Sequence, residues 1–338
     1  MLALGALLTF GGCNGNNPGD KKQPDMRQGR VLPPSKHAPP YPPPRNIPLD
    51  PSLRQAAMGE LETGLRSQDP EVRAHALEGL QHGGSDVAAP HVLSALNDPD
   101  PLVRYAACLA AGQLQLKSAH DRLLKLVSDP DAAVRVVARY ALHRIGDYQF
   151  SHDLEKLSRD PEPRVRGTTA MALGMLGDPS ALKVLEGMRL DMFPAVRQQA
   201  AAAMWLLGSQ KGMDDLIGWT LSRFPDDQMM GLLGLAEPRN RSIIQHVRNG
   251  LTTDWPDVNL TAARAMGMLG SDEGYGIAQE GAKSSDPRQR IAAALAFGAI
   301  GRSDAQDLLK SLLHDSDPNV RVAAAGAILQ LKFNSAVR

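Results

Sequence analysis

A Val-Arg pair recurs along this chain, at Val72-Arg73, Val103-Arg104, Val134-Arg135, Val165-Arg166 and Val196-Arg197, and again at Val320-Arg321. The first five arginines stand 31 residues apart, and the same count runs through Gln228, Asn259 and Arg290 to Arg321. Nine units without insertion therefore fill residues 52 to 338. No other feature restricts the fold as much, because such a period marks one supersecondary unit copied along the chain.

With this Arg as position zero, proline stands at minus three in eight units, from Pro70 to Pro318. Asp69, Asp100, Asp286 and Asp317 precede it, and Asp131 holds the same place ahead of Ala132 in the third unit. An Asp carboxylate can accept an orphan N–H of a first helical turn, and proline has no N–H to leave unpaired there, so Asp-Pro predicts a helix start. Position plus three is small in every unit, from Ala76 to Ala324, and plus six is Ala or Gly. Plus seven and plus ten are mostly large and apolar, as in Leu173 and Leu176 or Phe297 and Ile300. Glycine at plus eleven in six units, Gly146, Gly177 and Gly301 among them, predicts a left-handed helix terminator. The other half of each unit reads as a second amphipathic helix, shown by Leu123, Leu124, Leu126 and Val127 and by Leu308, Leu309, Leu312 and Leu313. Two such helices cannot bury their apolar faces alone, but stacked copies can. The predicted fold class is all-α, an α-solenoid of nine two-helix repeats.

The recurring D-P-x-V-R-x-x-A followed by L-x-x-L-G resembles the HEAT-repeat family, in the short variety named for phycobilisome lyases, over residues 52 to 338. The resemblance implies that each zero-position Arg pairs with acids of an adjacent unit, and that the second helix lines a concave face. The sixth unit departs from the pattern, with Asp227-Gln228 in place of Val-Arg and Pro238 in place of Leu, and a local irregularity is expected there.

Ahead of the repeats, residues 2 to 12 form an uncharged apolar run ending at Cys13, the length of a signal-peptide core and too short to span a bilayer. Phe10-Gly11-Gly12-Cys13 resembles a bacterial lipobox. That implies a signal peptide over 1–13, lipidation at Cys13 and a lipid-anchored place in a bacterial cell envelope. Asn14 resembles a signal for the outer membrane, with the protein facing the periplasm. Residues 14–51 hold eleven of the 25 prolines, with six basic and three acidic residues. Proline fixes φ and lacks an N–H, so this linker favours polyproline II and reads as a spacer between anchor and folded body.

Charge and motifs narrow the function. The chain has 37 basic and 37 acidic residues, which argues against the basic footprint of a nucleic-acid binder. Two cysteines exclude a four-Cys zinc site. Neither a zinc-protease, thiol-redox, nucleophile-elbow nor P-loop motif occurs. The paired His-Glu dipeptides of the iron hydroxylases of this fold are also missing. His75, His82 and His91 read as polar residues of a capping first unit rather than as a metal trio, and Cys108 as a small buried residue. No catalytic residue, cofactor or metal is expected. Positions plus one, plus five and plus eight point away from the partner helix. They supply the candidate protein-binding residues Tyr105, Tyr140, His143, Met171, Trp205, Met229, Leu233 and Arg264. Rings and methionines of this kind suit an adaptable binding face. The expected function is a non-enzymatic, membrane-anchored scaffold, monomeric, binding a protein or extended peptide on that face. The alternative implied by the resemblance is a phycobilin-lyase-like or lyase-accessory protein acting on a chromoprotein. Phe193, Phe224 and Trp255 replace the N-cap Asp in units five to seven, predicting an aromatic line along one edge, with a hydrophobic staple as its ordinary role.

Overall fold

The computed structural model describes residues 48–150 and 153–333; Cys13 and nearly all of the linker lie outside the described residues. Each unit is an outer helix followed by an inner one. The outer helices are α1 (Pro51–Gly64), α3 (Ser85–Ala95), α5 (His120–Leu126), α7 (Leu154–Leu157), α9 (Leu182–Met188), α11 (Gln210–Thr220), α13 (Ile244–Arg248), α15 (Tyr275–Gly281) and α17 (Ala305–Leu312). The inner helices are α2 (Pro70–Gln81), α4 (Pro101–Gln113), α6 (Ala132–Arg144), α8 (Pro163–Leu176), α10 (Pro194–Leu206), α12 (Pro225–Ala236), α14 (Pro256–Met268), α16 (Pro287–Ile300) and α18 (Pro318–Phe333).

The inner helices all begin at position minus three. Asp69, Asp100, Asp131, Asp286 and Asp317 accept hydrogen bonds from backbone N–H groups two or three residues on. At plus eleven, φ is positive in eight consecutive units. Six of these residues are glycines, but the second and sixth units place Gln115 (φ 52°) and Arg239 (φ 56°) there. The plus-three residues are buried without exception, and Leu80, Leu142, Met204, Leu235, Met266, Phe297 and Ile328 at plus seven are fully enclosed. Leu173, at the same position, is only half-buried. The sixth unit is irregular as expected. Its inner helix stops at Ala236, ahead of Pro238, and the next outer helix is short and flanked by 3₁₀ turns at Arg241–Ile243 and Asn249–Thr252.

The zero-position arginines tie the units together. Arg73, Arg104, Arg166 and Arg290 reach with Nε and Nη2 to both oxygens of Asp98, Asp129, Asp191 and Asp315, each 25 residues on in the next unit, at 2.7–2.9 Å. The Nη1 of each donates to two carbonyls of the loop before its own helix, as Arg104 does to Asp98 O and Pro99 O at 2.9 Å. One guanidinium thus fixes two loops. Gln228 and Asn259 keep a bond of their amides to their own loops, at Ser222 O and Thr253 O.

The stack does not remain open. The last helix, α18, packs against α1 and α2 as each inner helix packs against its neighbours in sequence. Arg321 donates to Glu60 Oε1 at 2.8 Å, so the last arginine finds its acid in the first unit. His75 Nδ1 lies 3.0 Å from Asn319 Oδ1. A Cβ built on Gly326 would lie 3.0 Å from the Cα of Gly79, so the two backbones meet with no side chain between them. The expected open array with a capping first unit is therefore corrected. Nine units close into a ring, and each end repeat covers the apolar face of the other. Nine inner helices at the usual spacing of about 9 Å give a circle of roughly 13 Å radius, and subtracting a helix body of about 5 Å leaves a lumen about 16 Å wide before inward side chains are counted.

Candidate functional site

Positions plus one and plus five of the inner helices point into this lumen, and closure decides which of them stay accessible. Over units two to four they fill it. Tyr105, Leu109, Val136, Tyr140 and Met171 are buried, and Tyr105 Oη lies 3.8 Å from Met171 Sδ, reaching across the third unit. Burial pushes the Tyr140 phenol up to about 12 and drives Tyr105 higher still. Trp205 is also buried, and its indole N–H donates to Leu235 O at 3.0 Å. Tyr105, Tyr140, Met171 and Trp205, expected as an exposed binding face, are thus lateral core. Their polar edges find partners or are buried with the ring, because a closed wall has no open concavity on this side.

The other side of the lumen differs. Met229 and Leu233 of α12, Arg264 of α14, and Ile291 and Leu295 of α16 are half-exposed. Arg264 stands between the two apolar pairs. It makes no hydrogen bond or ion pair among the described residues. Burial pulls its pKa down, opposed by the more distant charges of Glu78 and Glu237. His82, at the end of α2, faces the same region. Burial, with help from Arg264 and Arg239, lowers its pKa to about 4, so it is neutral at pH 7. Of the eight expected residues, Met229, Leu233 and Arg264 therefore share one accessible patch. His143 sits apart, its ring edge-on to Tyr148 at 4.8 Å. Ile291 and Leu295, which hold plus-one and plus-five positions of the same inward face, lie with the patch, and so does Glu78, a plus-five residue that hydrophobicity alone does not single out.

A second surface lies on the rim formed by the inner-helix N-termini. Phe193, Phe224 and Trp255 are 40%, 52% and 49% exposed, and Leu190, Met192 and Leu221 beside them are more so. A staple would have buried these rings. The expected staple is corrected, and none of the three helices has a side-chain N-cap bond. Losing an N-cap costs about 0.5–2 kcal/mol per helix. Arg166 stacks over Phe193 at 5.5 Å and Arg223 over Phe224 at 4.7 Å.

The remaining candidates have structural roles. Cys108 is buried and its thiol pKa is raised by burial. His75 is engaged at the ring closure, and among the described residues no three His, Cys, Asp or Glu side chains are grouped to hold a metal ion. No described helix is long and apolar enough to cross a membrane.

Among solved structures, the chain is similar to the CpcE–CpcF complex of phycocyanin lyase from Nostoc sp. PCC7120 (17% identity, covering 78% of this chain and 98% of that one, TM-score 0.44). It is also similar to human deoxyhypusine hydroxylase (19% identity, covering 83% and 98%, TM-score 0.38). No curated protein matches its sequence significantly. HEAT repeats are matched over residues 59–143, 120–205 and 276–337, together more than half of the chain. These matched segments fall on the same helix pairs that the 31-residue period delimits, and the chain belongs to the HEAT-repeat family.

Proposed function

We propose that this chain is a non-enzymatic, membrane-anchored interaction scaffold whose protein partner inserts an acidic segment with apolar flanks into the ring lumen. The observation that carries the reading is Arg264, a charged side chain without a contacting carboxylate, between Met229–Leu233 and Ile291–Leu295. A charge drawn from water without a partner weakens a fold. A carboxylate brought in by another polypeptide would complete it, and the flanking side chains would seal the contact from water, as at interface hot spots. The anchor rests on Cys13 and the residues before it, and the Pro-rich segment serves as its spacer.

The test compares wild type with Arg264→Met by in-cell crosslinking and affinity recovery. Removing a part-buried charge with no contacting carboxylate should leave the melting temperature unchanged or raise it by about 2 °C. The same change should abolish recovery of a defined envelope protein. A variant that recovers the same partner as wild type would remove the lumen from the proposal. Mass spectrometry of the mature chain reads the anchor directly. Acylated Cys13 is expected, with Cys13→Ser released from the membrane fraction; an unmodified Cys13 in the wild type would sink that part.

A further inference from the structure

The exposed aromatic arc on the rim takes no part in the lumen reading, and its spacing is informative. Phe193, Phe224 and Trp255 occupy the same position in three successive units, so they recur at the packing distance of neighbouring helices, about 9 Å. A polyproline II helix rises 3.1 Å per residue with three residues per turn, about 9.3 Å per turn. An extended proline-rich strand laid along this rim would meet one aromatic ring at each turn, on the same side of the strand. Aromatic rows of this kind are how folded domains grip polyproline II segments, whose prior order limits the entropy lost on binding.

The charges select the strand. Asp226 and Asp254 flank the rings, exposed and without an ion pair among the described residues, while Arg166 and Arg223 already cover one face of Phe193 and of Phe224 and leave Trp255 and the opposite faces to a strand. Residues 33–45, PPSKHAPPYPPPR, are the densest run of proline in this chain and carry Lys36, His37 and Arg45 with no acid. Its three consecutive prolines, Pro42 to Pro44, lie too near their own ring to reach its arc. Pro48 is fixed against the last outer helix, its carbonyl accepting from Gln306 Nε2 at 3.0 Å, and Asp50 caps α1 beside it. That is the opposite rim, since outer and inner helices run antiparallel. Even Pro42 is only six residues from Pro48, about 21 Å at full extension. The inner helices alone make the ring about 20 Å high, and the arc lies units away around it.

We propose that the aromatic arc of Phe193, Phe224 and Trp255 binds residues 33–45 of a second copy of this chain, held in polyproline II conformation, with Asp226 and Asp254 pairing its basic residues. The ring is then a self-associating module whose copies join rim to arm.

Sedimentation equilibrium of the full chain tests this with two variants, Phe224→Ala/Trp255→Ala and Pro42→Ala/Pro43→Ala/Pro44→Ala. Wild type should associate as concentration rises, and each variant alone should weaken association at least tenfold. The two variants mixed should form a one-to-one pair, because one retains the arm and the other the arc. Equal melting curves of variants and wild type check that the rim substitutions leave the ring intact. Wild type that stays monomeric at every concentration, or association that survives both sets of substitutions, overturns the proposal. So does binding of wild type to phosphatidylcholine–phosphatidylglycerol vesicles that is lost in Phe224→Ala/Trp255→Ala without any self-association, which would make the arc a lipid-facing surface. Arg264→Met should leave self-association unchanged, which separates this result from the fate of the lumen reading.

Discussion

Gln115 and Arg239 stop their helices at positive φ, where the six corresponding residues of other units are glycines. A side chain in this conformation brings Cβ against the following carbonyl, at a cost of roughly 1–2 kcal/mol that glycine avoids, less glycine's own larger entropy loss. Gln115→Gly should therefore stabilise the protein by about 1 kcal/mol, read as a higher urea midpoint at unchanged slope. The terminator itself was legible in the sequence, because glycine announces it at Gly146, Gly177 and Gly301. The two exceptions were not, since only the period, and no local residue, marks Gln115 and Arg239 as left-handed. The same holds for Trp205. Its indole N–H donates to Leu235 O, thirty residues away, a partner that no local residue pattern marks.

At the scale of the helix pair, the arginine clamps set the joint between units. Arg104 holds Asp129, whose side chain is only 3% exposed. Arg104→Ala would leave that enclosed carboxylate without a counter-charge and with only the Asp131 N–H donating to it, at a cost of about 3 kcal/mol. Arg197 makes the same bonds to its own loop, but Ser222 stands 25 residues on, where the other clamps find Asp. Arg197→Ala should cost closer to 1 kcal/mol. Denaturant titration of the two variants measures the difference. The clamps also make the fold acid-sensitive. Hydrogen bonds from Arg166 and Arg290 hold Asp191 and Asp315 below the usual carboxylate range. Such groups add stability at pH values above about 4 that fades as pH falls through their lowered pKa values. Thermal melts from pH 6 to pH 2 should show this loss reduced in Arg166→Ala. Cross-unit pairing was implied by the family resemblance. The Asp at plus 25 was readable too, for it recurs with the same period.

At the scale of the molecule, the nine units and their two layers were written in the sequence, while the ring was not. Closure requires a turn of about 40° per unit, and that sum depends on small packing differences that no single repeat displays. One signal was present. Terminal repeats of an open array need polar outer faces, whereas Gly79, Val322 and Gly326 offer small or apolar ones. Curvature decides whether an inward Tyr lines a groove or fills a core, and closure encloses Tyr105, Tyr140, Met171 and Trp205. Gly79→Leu should hold α2 and α18 apart, since even a Cβ there would lie 2.7 Å from Leu61 Cδ2 and 3.2 Å from Gly326 Cα. The expected result is a larger radius of gyration by small-angle X-ray scattering and a lower melting temperature, both restored toward wild type by no change at the rim.

The joint between the ninth and first units differs from the other eight in kind. Those are crossed by the polypeptide itself, while this one is held by Arg321–Glu60, His75–Asn319 and the Gly79–Gly326 contact. A groove of about 260 Å³ between α1 and α17, lined by Ser52, Ala56, Glu60, Lys310 and His314, already notches its outer wall. The molecule is a bracelet with a clasp. On the proposed lumen reading, a partner segment with a free chain end would enter from a rim while the clasp stays shut, whereas an internal loop too bulky to pass a rim would have to unfasten it. Which of the two a partner presents would then decide whether capture is limited by diffusion of a strand or by the rate at which one noncovalent joint comes undone.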